Sequence, residues 1–208
     1  CVARFATPTP RCTACALPVP QGVVRCGDCL LHPPPFDLCL VATRYGWPWV
    51  GCITQFKFRQ DPGLAAPLAG LLAQTPGVPE ALAEADWVLP VPLSTERLAE
   101  RGYNPAQLLA AHLARRHAPR RLRTDLLLRL RHSPPQHHLP RAERLRNVRG
   151  AYAVEPLRAA QLAGRRVVLV DDVMTTGASL AEAARTLRGA GVAQVCALAL
   201  ARTDEPGA

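Results

Sequence analysis

With 208 residues, 49% of them hydrophobic, the chain is long enough for one α/β domain with a real core and a small appended module. No apolar run approaches the roughly 18 to 20 residues that a bilayer-spanning helix needs, and Arg4, Arg11 and prolines stand where a signal peptide would be apolar, so no membrane insertion and a cytoplasmic location are expected. The net charge of +9 sits in one region: residues 90–149 hold thirteen arginines against Glu96, Glu100, Asp125 and Glu143, while the rest of the chain is balanced. Such a region attracts an anion, either a phosphorylated small molecule or a nucleic acid.

The first 36 residues are rich in Cys, Pro and Gly and lack a sustained apolar period. Cys12-Thr13-Ala14-Cys15 and Cys26-Gly27-Asp28-Cys29 form two CxxC pairs, with Pro18, Pro20 and Gly22 between them as turn formers. Four thiolates at this spacing suit a closed tetrahedral Zn²⁺ site with Cys12, Cys15, Cys26 and Cys29 as ligands. A disulfide scaffold fits a smaller secreted chain, and a redox dithiol needs a single CxxC at a helix start. Cys1 is a spare ligand, Cys39, Cys52 and Cys196 are expected in the core, and His32 is expected at the surface. Pro33-Pro34-Pro35 supplies no backbone donors and favours an extended linker, which divides the chain into a zinc-ribbon or knuckle module, 1–36, and a larger domain, 37–208.

Beyond that boundary, Cys39–Arg44 reads as a strand, and Val50–Arg59 and Leu64–Gln74 as helices. Trp87–Val91 is a short apolar run ended by Pro90 and Pro92, as in a parallel strand that leads into an irregular loop. Asn104 caps a helix over Pro105–Arg116, with proline at its first position. Leu122–Leu130 reads as a strand, and Arg131–Pro140, with three prolines and three histidines, as a mobile loop. Val167–Val170 is a buried strand, Ala178–Ala190 a helix and Val192–Leu200 a closing strand. This order of strand, turn, helix and strand is that of a parallel α/β sheet.

The most informative segment is Val167 to Ser179. A fully apolar strand delivers Asp171 and Asp172 to its C-terminal end, where open α/β sheets bind ligands. The turn that follows, Val173-Met174-Thr175-Thr176-Gly177-Ala178-Ser179, opens a helix whose first amides are unpaired and whose dipole favours an anion. Thr175, Thr176 and Ser179 add hydroxyls, and Gly177 permits close approach. The cup suits a phosphate monoester. The two carboxylates would repel that phosphate, so they are expected to accept hydrogen bonds from sugar hydroxyls beside it. A Walker A loop would need GxxxxGK[ST], and a dinucleotide site GxGxxG; the sequence has neither.

These thirteen residues resemble the phosphoribosyl pyrophosphate signature of type I phosphoribosyltransferases. The resemblance implies that fold, a parallel sheet flanked by helices, for residues 37–208. It gives Asp171 and Asp172 the ribose hydroxyls, as the catalytic pair, and Thr175 to Ser179 the 5-phosphate. Other segments resemble the ComF family, whose members join a zinc module to this fold and are linked to DNA uptake in natural transformation. The resemblance rests on the two CxxC pairs, Gln55-Phe56-Lys57-Phe58-Arg59, Pro90-Val91-Pro92-Leu93, Arg101-Gly102-Tyr103-Asn104, Gln136 with Arg144 and Asn147, and the signature itself, in family order. Tyr103 and Tyr152 stand where Phe is common, and the His-rich stretch around Gln136-His137-His138 is peculiar to this chain.

By the same analogy Leu89 to Ser94 is the diphosphate loop, its turn fixed by two prolines and Ser94, with Pro92, Leu93 and Ser94 as diphosphate-binding residues. Arg97, Arg101, Arg131, Arg141 and Arg144 supply positive charge. Alternatively, Arg97 and Arg101 are solvated helix-face charges that pair with Glu96 and Glu100. The implied chemistry is displacement of diphosphate at the ribose anomeric carbon, with Mg²⁺ on the diphosphate and arginines stabilising the leaving charge. The acceptor is not specified by any motif. Three readings stay open: a phosphoribosyltransferase, a competence factor that binds single-stranded DNA and keeps the pocket as a sensor, and a regulator whose ligand changes its contact with a competence helicase. Only ten residues are aromatic, so single-strand binding would rest chiefly on charge.

Overall fold

The computed structural model describes residues 5–6, 9–130 and 148–204. In chain order the elements are α1 (Gly27–Leu31), β1 (Leu38–Arg44), α2 (Trp49–Phe58), α3 (Ala65–Ala73), α4 (Val78–Glu84), β2 (Trp87–Pro90), α5 (Thr95–Arg101), α6 (Pro105–His117), β3 (Leu127–Arg129), β4 (Tyr152–Val154), β5 (Arg166–Met174), α7 (Ala178–Gly189) and β6 (Gln194–Arg202). Short 3-10 turns at Pro62–Leu64 and Pro156–Gln161 join some of them.

Val167-Val168-Leu169-Val170 makes β5 the strand around which the sheet is built, because all four side chains are buried. Their alternation sends Val167 and Leu169 to one apolar core and Val168 and Val170 to the other. On the first face, Leu180, Ala183, Ala184 and Leu187 of α7 cover them. On the second, Ile53 and Phe56 of α2, Leu68 and Leu72 of α3, Leu82 of α4 and Leu109 and Leu113 of α6 do so. A strand buried on both faces needs neighbours on both edges. The four-stranded sheet has the order β1-β6-β5-β2, and every adjacent pair is parallel. The expected parallel α/β sheet flanked by helices is thus present, with the cysteine-rich segment packed beside it.

Several expected boundaries move. β5 does not stop at Val170 but runs on to Met174, so Asp171 and Asp172 lie within the strand, with Asp171 paired in register to Ala199 and Met174 to Arg202. Its partner β6 starts and ends two residues later than expected and lies inside the sheet, between β1 and β5. β2 ends at Pro90, opposite Val170, and Pro92 can donate nothing further to the ladder after the Val91 amide bonds the Val170 carbonyl at 2.8 Å. β5 therefore outruns one neighbour at its acidic pair. Leu122–Leu130 is a strand only over Leu127–Arg129, antiparallel to β4 in a separate two-stranded sheet, with one bridge from Leu122 to Val88. Local pattern does not announce α1, α4, α5 or β4, all of seven residues or fewer. Cys39 and Cys196 are in the core as expected, and Cys52 is half-buried, packed against the core that holds Cys196.

Asn104 does more than cap α6. Its Oδ1 accepts from the Ala106 amide at 3.0 Å, while its Nδ2 donates to the Val91 carbonyl at 3.0 Å, tying the helix start to the turn that follows β2. Asn104→Ala should lose about 1 kcal/mol for the cap and a further 1 kcal/mol or more for the orphaned carbonyl. Asn104→Asp keeps the cap but lacks the Nδ2 donor, so its loss in chemical denaturation should fall between those of the parent and Asn104→Ala; no loss in Asn104→Asp would remove the role given to Nδ2. Leu169→Ala, at a fully buried position, should lose about 2 to 5 kcal/mol in the same measurement.

Candidate functional site

Past Val170 the backbone carries the two carboxylates into a region covered by β6 on one side only. Asp172 is buried, and its Oδ1 lies 2.9 Å from Nζ of Lys57, the one lysine of the chain, while it also accepts from the Val173 amide at 2.6 Å. Both side chains of the ion pair are largely shielded, 17% exposed for Lys57 and 11% for Asp172. Asp171 is half-buried and accepts from the Asp172 amide at 2.9 Å. Burial and the charge of Asp172 push its carboxyl up to about 7, against the opposing pull of Lys57 and Arg129. One of two adjacent acids is thus neutralised by a cation and the other holds its proton near neutrality.

Lys57 reaches this position because α2 is anchored on both sides of it. Ile53 and Phe56 are fully buried, and the Tyr103 hydroxyl donates to the Phe56 carbonyl. The Phe56 and Tyr103 rings lie 6.0 Å apart, and the Arg101 guanidinium stands 4.9 Å over the Phe58 ring. Residues 55–59 and 101–104, far apart in sequence, therefore interlock, and their joint effect is to aim Lys57 at Asp172. The signal available in sequence was a lone lysine between two phenylalanines in an arginine-rich chain.

The turn after β5 is shaped by Gly177. Its φ of +78° is a left-handed conformation that favours glycine, and a Cβ there would lie 2.6 Å from Cε of Met174, so any side chain would also displace the end of Met174. Gly177 caps α7 without a side-chain bond; Thr176 Oγ1 accepts from the Ala178 amide at 3.3 Å. Asp171 and residues 173–180 line a small cup at the helix start. All of the signature residues 171–179 except Asp172, which turns to Lys57, thus line the cup, a concavity at a helix start of the kind that can take a tetrahedral anion.

Beside it stand Arg97, Arg129 and Tyr152. Burial lowers Arg97, and the nearby charges of Arg129 and Arg101 lower it further. Arg129 Nη1 donates to the Tyr152 hydroxyl at 3.2 Å, and the guanidinium lies 5.4 Å from the centre of the tyrosine ring. Burial raises the Tyr152 phenol, with Ser179 as its hydrogen-bonding neighbour and Asp171 among the charges acting on it. Arg129 and Tyr152 are register partners of the β3–β4 pair, so they hold together the two ends of the segment between those strands. Of the expected diphosphate residues, Arg97 lies with this cluster and Arg101 stacks on Phe58. Pro92 and Leu93 are half-buried in the turn, and Ser94 is buried with its Oγ accepting from the Arg97 amide at 3.4 Å as the cap of α5. Arg131, Gln136, Arg141, Arg144 and Asn147, and the His-rich stretch 132–138, lie outside the described residues, as does Cys1. Arg129 was not marked by sequence pattern, since a single arginine after an apolar run carries no spacing signal, and Tyr152 was named only as a position where Phe is common in the family.

The four cysteines converge. The sulfurs of Cys12, Cys15, Cys26 and Cys29 all lie within 4.8 Å of one another, and Cys15 and Cys26 are 3.7 Å apart. Thiolates on a tetrahedral ion at about 2.3 Å stand roughly 3.8 Å from each other, so the donor set fits a metal such as zinc. Burial pushes the Cys12 thiol up, but amide donors, first that of Cys26 at 3.3 Å, outweigh it and bring the thiol down to about 7. His32, exposed and bonded to Asp28, is not among the ligands. No helix among the described residues is long and apolar enough to cross a membrane.

Residues 98–206 match the family model of the phosphoribosyl transferase domain. The chain is 34% identical over 200 residues to DNA utilization protein YhgH of Escherichia coli O6:H1, covering 92% of this chain and 84% of that protein. It is 32% identical over 202 residues to competence protein F of Haemophilus influenzae, covering 93% and 85%. Competence protein ComFC of Bacillus subtilis is 34% identical over 137 residues, covering 65% of this chain and 51% of that one. The gathered signature loop, the four-cysteine cluster before it and these relatives have one common explanation: the chain belongs to the ComF family and carries a phosphoribosyltransferase domain.

Proposed function

We propose that residues 171–179 bind a ribose 5-phosphate group, as in phosphoribosyl pyrophosphate, and that the chain serves DNA uptake in natural transformation. The observation that carries the reading is the placement of two carboxylates, one neutralised by Lys57, directly beside a donor-lined cup. Thr175, Thr176, Gly177, Ala178 and Ser179 take the 5-phosphate; Asp171 and Asp172 accept from the ribose hydroxyls. Arg97 and Arg129, on the Tyr152 side, face the diphosphate, together with the turn Pro92-Leu93-Ser94 and, from outside the described residues, Arg131 and Arg144. Arg101 steadies that side through Phe58. Mg²⁺ carried by the diphosphate supplies further neutralisation of its charge. In transfer, the bond from ribose C1 to the diphosphate oxygen breaks with its electron pair leaving on diphosphate, and an acceptor atom forms the new bond to C1 and gives up its proton. The four cysteines hold Zn²⁺ as a structural ion, residues 1–36 forming the module and 37–208 the transferase-like domain. The relatives named for DNA utilization and competence support the biological role.

Calorimetry with phosphoribosyl pyrophosphate and Mg²⁺ tests the reading. Binding should be saturable, and Asp171→Asn with Asp172→Asn should weaken it by about a hundredfold or more, each lost charged acceptor being worth about 1.5 to 3 kcal/mol. Absence of binding by the parent protein would sink it. Turnover is checked separately, by diphosphate release with candidate acceptors.

The raised value of Asp171 has a pH consequence. Free protein keeps the proton up to about pH 7, whereas a carboxylate accepting sugar hydroxyls must be ionised. Binding near pH 6 should therefore release a proton, visible as a buffer-dependent enthalpy that fades above about pH 8, and affinity should rise across that window. For stability the sign is opposite to that of a salt-bridged acid. The native state holds this proton more tightly than the unfolded chain, so stability falls as pH rises from about 4 to about 7, and Asp171→Asn should abolish that part of the slope.

The charge of residues 90–149 favours a second reading, a non-catalytic factor that binds single-stranded DNA or a competence helicase and uses the pocket as a sensor. DNA affinity should then fall linearly in log–log salt plots with a slope of about 0.7 per phosphate neutralised. Absent or salt-independent binding counts against direct contact with DNA, and a helicase pull-down unchanged by ligand counts against the sensor.

A further inference from the structure

Arg202, the last residue of β6, is the largest fully buried side chain among the described residues, although it is an arginine. A guanidinium is taken out of water at a cost of several kcal/mol unless its donors are met. Here Nε donates to the Cys15 carbonyl at 3.0 Å and Nη1 to the Met174 carbonyl at 3.1 Å. The first carbonyl belongs to a CxxC pair of the four-cysteine cluster; the second belongs to the residue that opens the phosphate cup. One rigid planar fork thus spans both.

Neighbouring contacts follow the same path. The Cys39 amide donates at 2.7 Å to the carbonyl of Thr13, inside the same CxxC, and the Cys39 thiol lies 3.6 Å from Sδ of Met174. Cε of Met174 fills the space beside Gly177, where a Cβ would lie 2.6 Å away. Thr203, next to Arg202, bonds the Met174 carbonyl through its amide at 3.2 Å and the Thr175 carbonyl through Oγ1 at 3.3 Å. Ala16, one residue past the CxxC, holds a left-handed φ of 58° and is fully buried in the same core as Cys39 and Met174. The cysteine turn is therefore seated on the residue from which the cup departs.

We propose that Arg202 is a positioning residue for the sugar-phosphate loop and that it is anchored by the four-cysteine cluster, so that metal held by Cys12, Cys15, Cys26 and Cys29 sets the loop's order and its affinity for sugar phosphates. A bound ion fixes the CxxC turn and with it the Cys15 and Thr13 carbonyls; the Arg202 fork and the Cys39–Met174 contact pass that constraint to Met174 and Gly177. Without the ion the carbonyl partner of Nε is free to shift and the cup loosens. This inference rests on the sugar-phosphate reading for its ligand, but not for the coupling itself.

The test compares full-length protein loaded with one equivalent of Zn²⁺ and stripped by a chelator, as parent, Arg202→Met and Arg202→Lys. Amide hydrogen exchange without ligand is followed in residues 174–180 and, as a control, in α3. Ribose 5-phosphate binding is followed in parallel. In the parent, stripping should speed exchange in 174–180 by about tenfold and weaken binding by a similar factor, with α3 unchanged, a coupling of ordinary size. Arg202→Met should show both effects with Zn²⁺ still bound and gain less than about twofold more on stripping. Arg202→Lys keeps the charge without the fork and should resemble Met, not the parent. Unchanged exchange in 174–180 of the stripped parent, or an equal rise in α3, overturns the proposal. If loaded parent binds no ribose 5-phosphate the functional reading fails, while exchange still decides the coupling. Should neither variant fold, the parent with and without Zn²⁺ decides it alone.

Discussion

Two adjacent carboxylates inside a sheet are the constraint to which much of this molecule answers. Placed on a strand buried on both faces, Asp171 and Asp172 cannot both carry charge unless cations reach them. Lys57 meets Asp172 from α2, and Asp171 retains its proton to about pH 7. That single ion pair gives a reason for features that otherwise look unrelated: the seating of α2 by Ile53 and Phe56, the Tyr103 hydroxyl on the Phe56 carbonyl, and the Arg101 stack on Phe58. Breaking it leaves a buried charge without a partner, so the interlock of residues 55–59 with 101–104 has an energetic purpose beyond packing.

The geometry of the sheet edge is set by unequal strand lengths. β2 ends because its prolines cannot continue the ladder, while β5 goes on for four residues with β6 alone beside it. The gap left by β2 is where the turn 91–94 and α5 begin, and Asn104 pins that turn to α6. A ligand at this edge meets a cup at the start of α7, acids on β5 and arginines from α5 and β3. Unpaired strand edge, helix start and cationic rim are thus three consequences of one termination.

Electrostatics divides the site into halves. Beyond burial, the nearby charges of Arg129 and Arg101 lower Arg97 further, a repulsion that an anion would relieve. Asp171 and Lys57 lie on the other half. The proposed ligand, a ribose with its hydroxyls between a 5-phosphate and a diphosphate, presents neutral donors to the acids and anionic groups to the cup and the arginines.

What the sequence determined by itself is whatever depends on neighbours along the chain: the apolar run of β5, the Asn104 cap and proline of α6, the turn Thr175-Thr176-Gly177, and the two CxxC pairs. Their physics is local, a period, a cap, a left-handed glycine and a short reach between thiols. The partner of Asp172, the pairing of Arg129 with Tyr152 and the burial of Arg202 depend on residues 23 to 187 positions apart brought together by packing, and no spacing encodes them. The length of β5 was also a tertiary decision. Acidic residues read as the end of a strand, yet β6 extends alongside and supplies the backbone partners that keep Asp171 to Met174 extended.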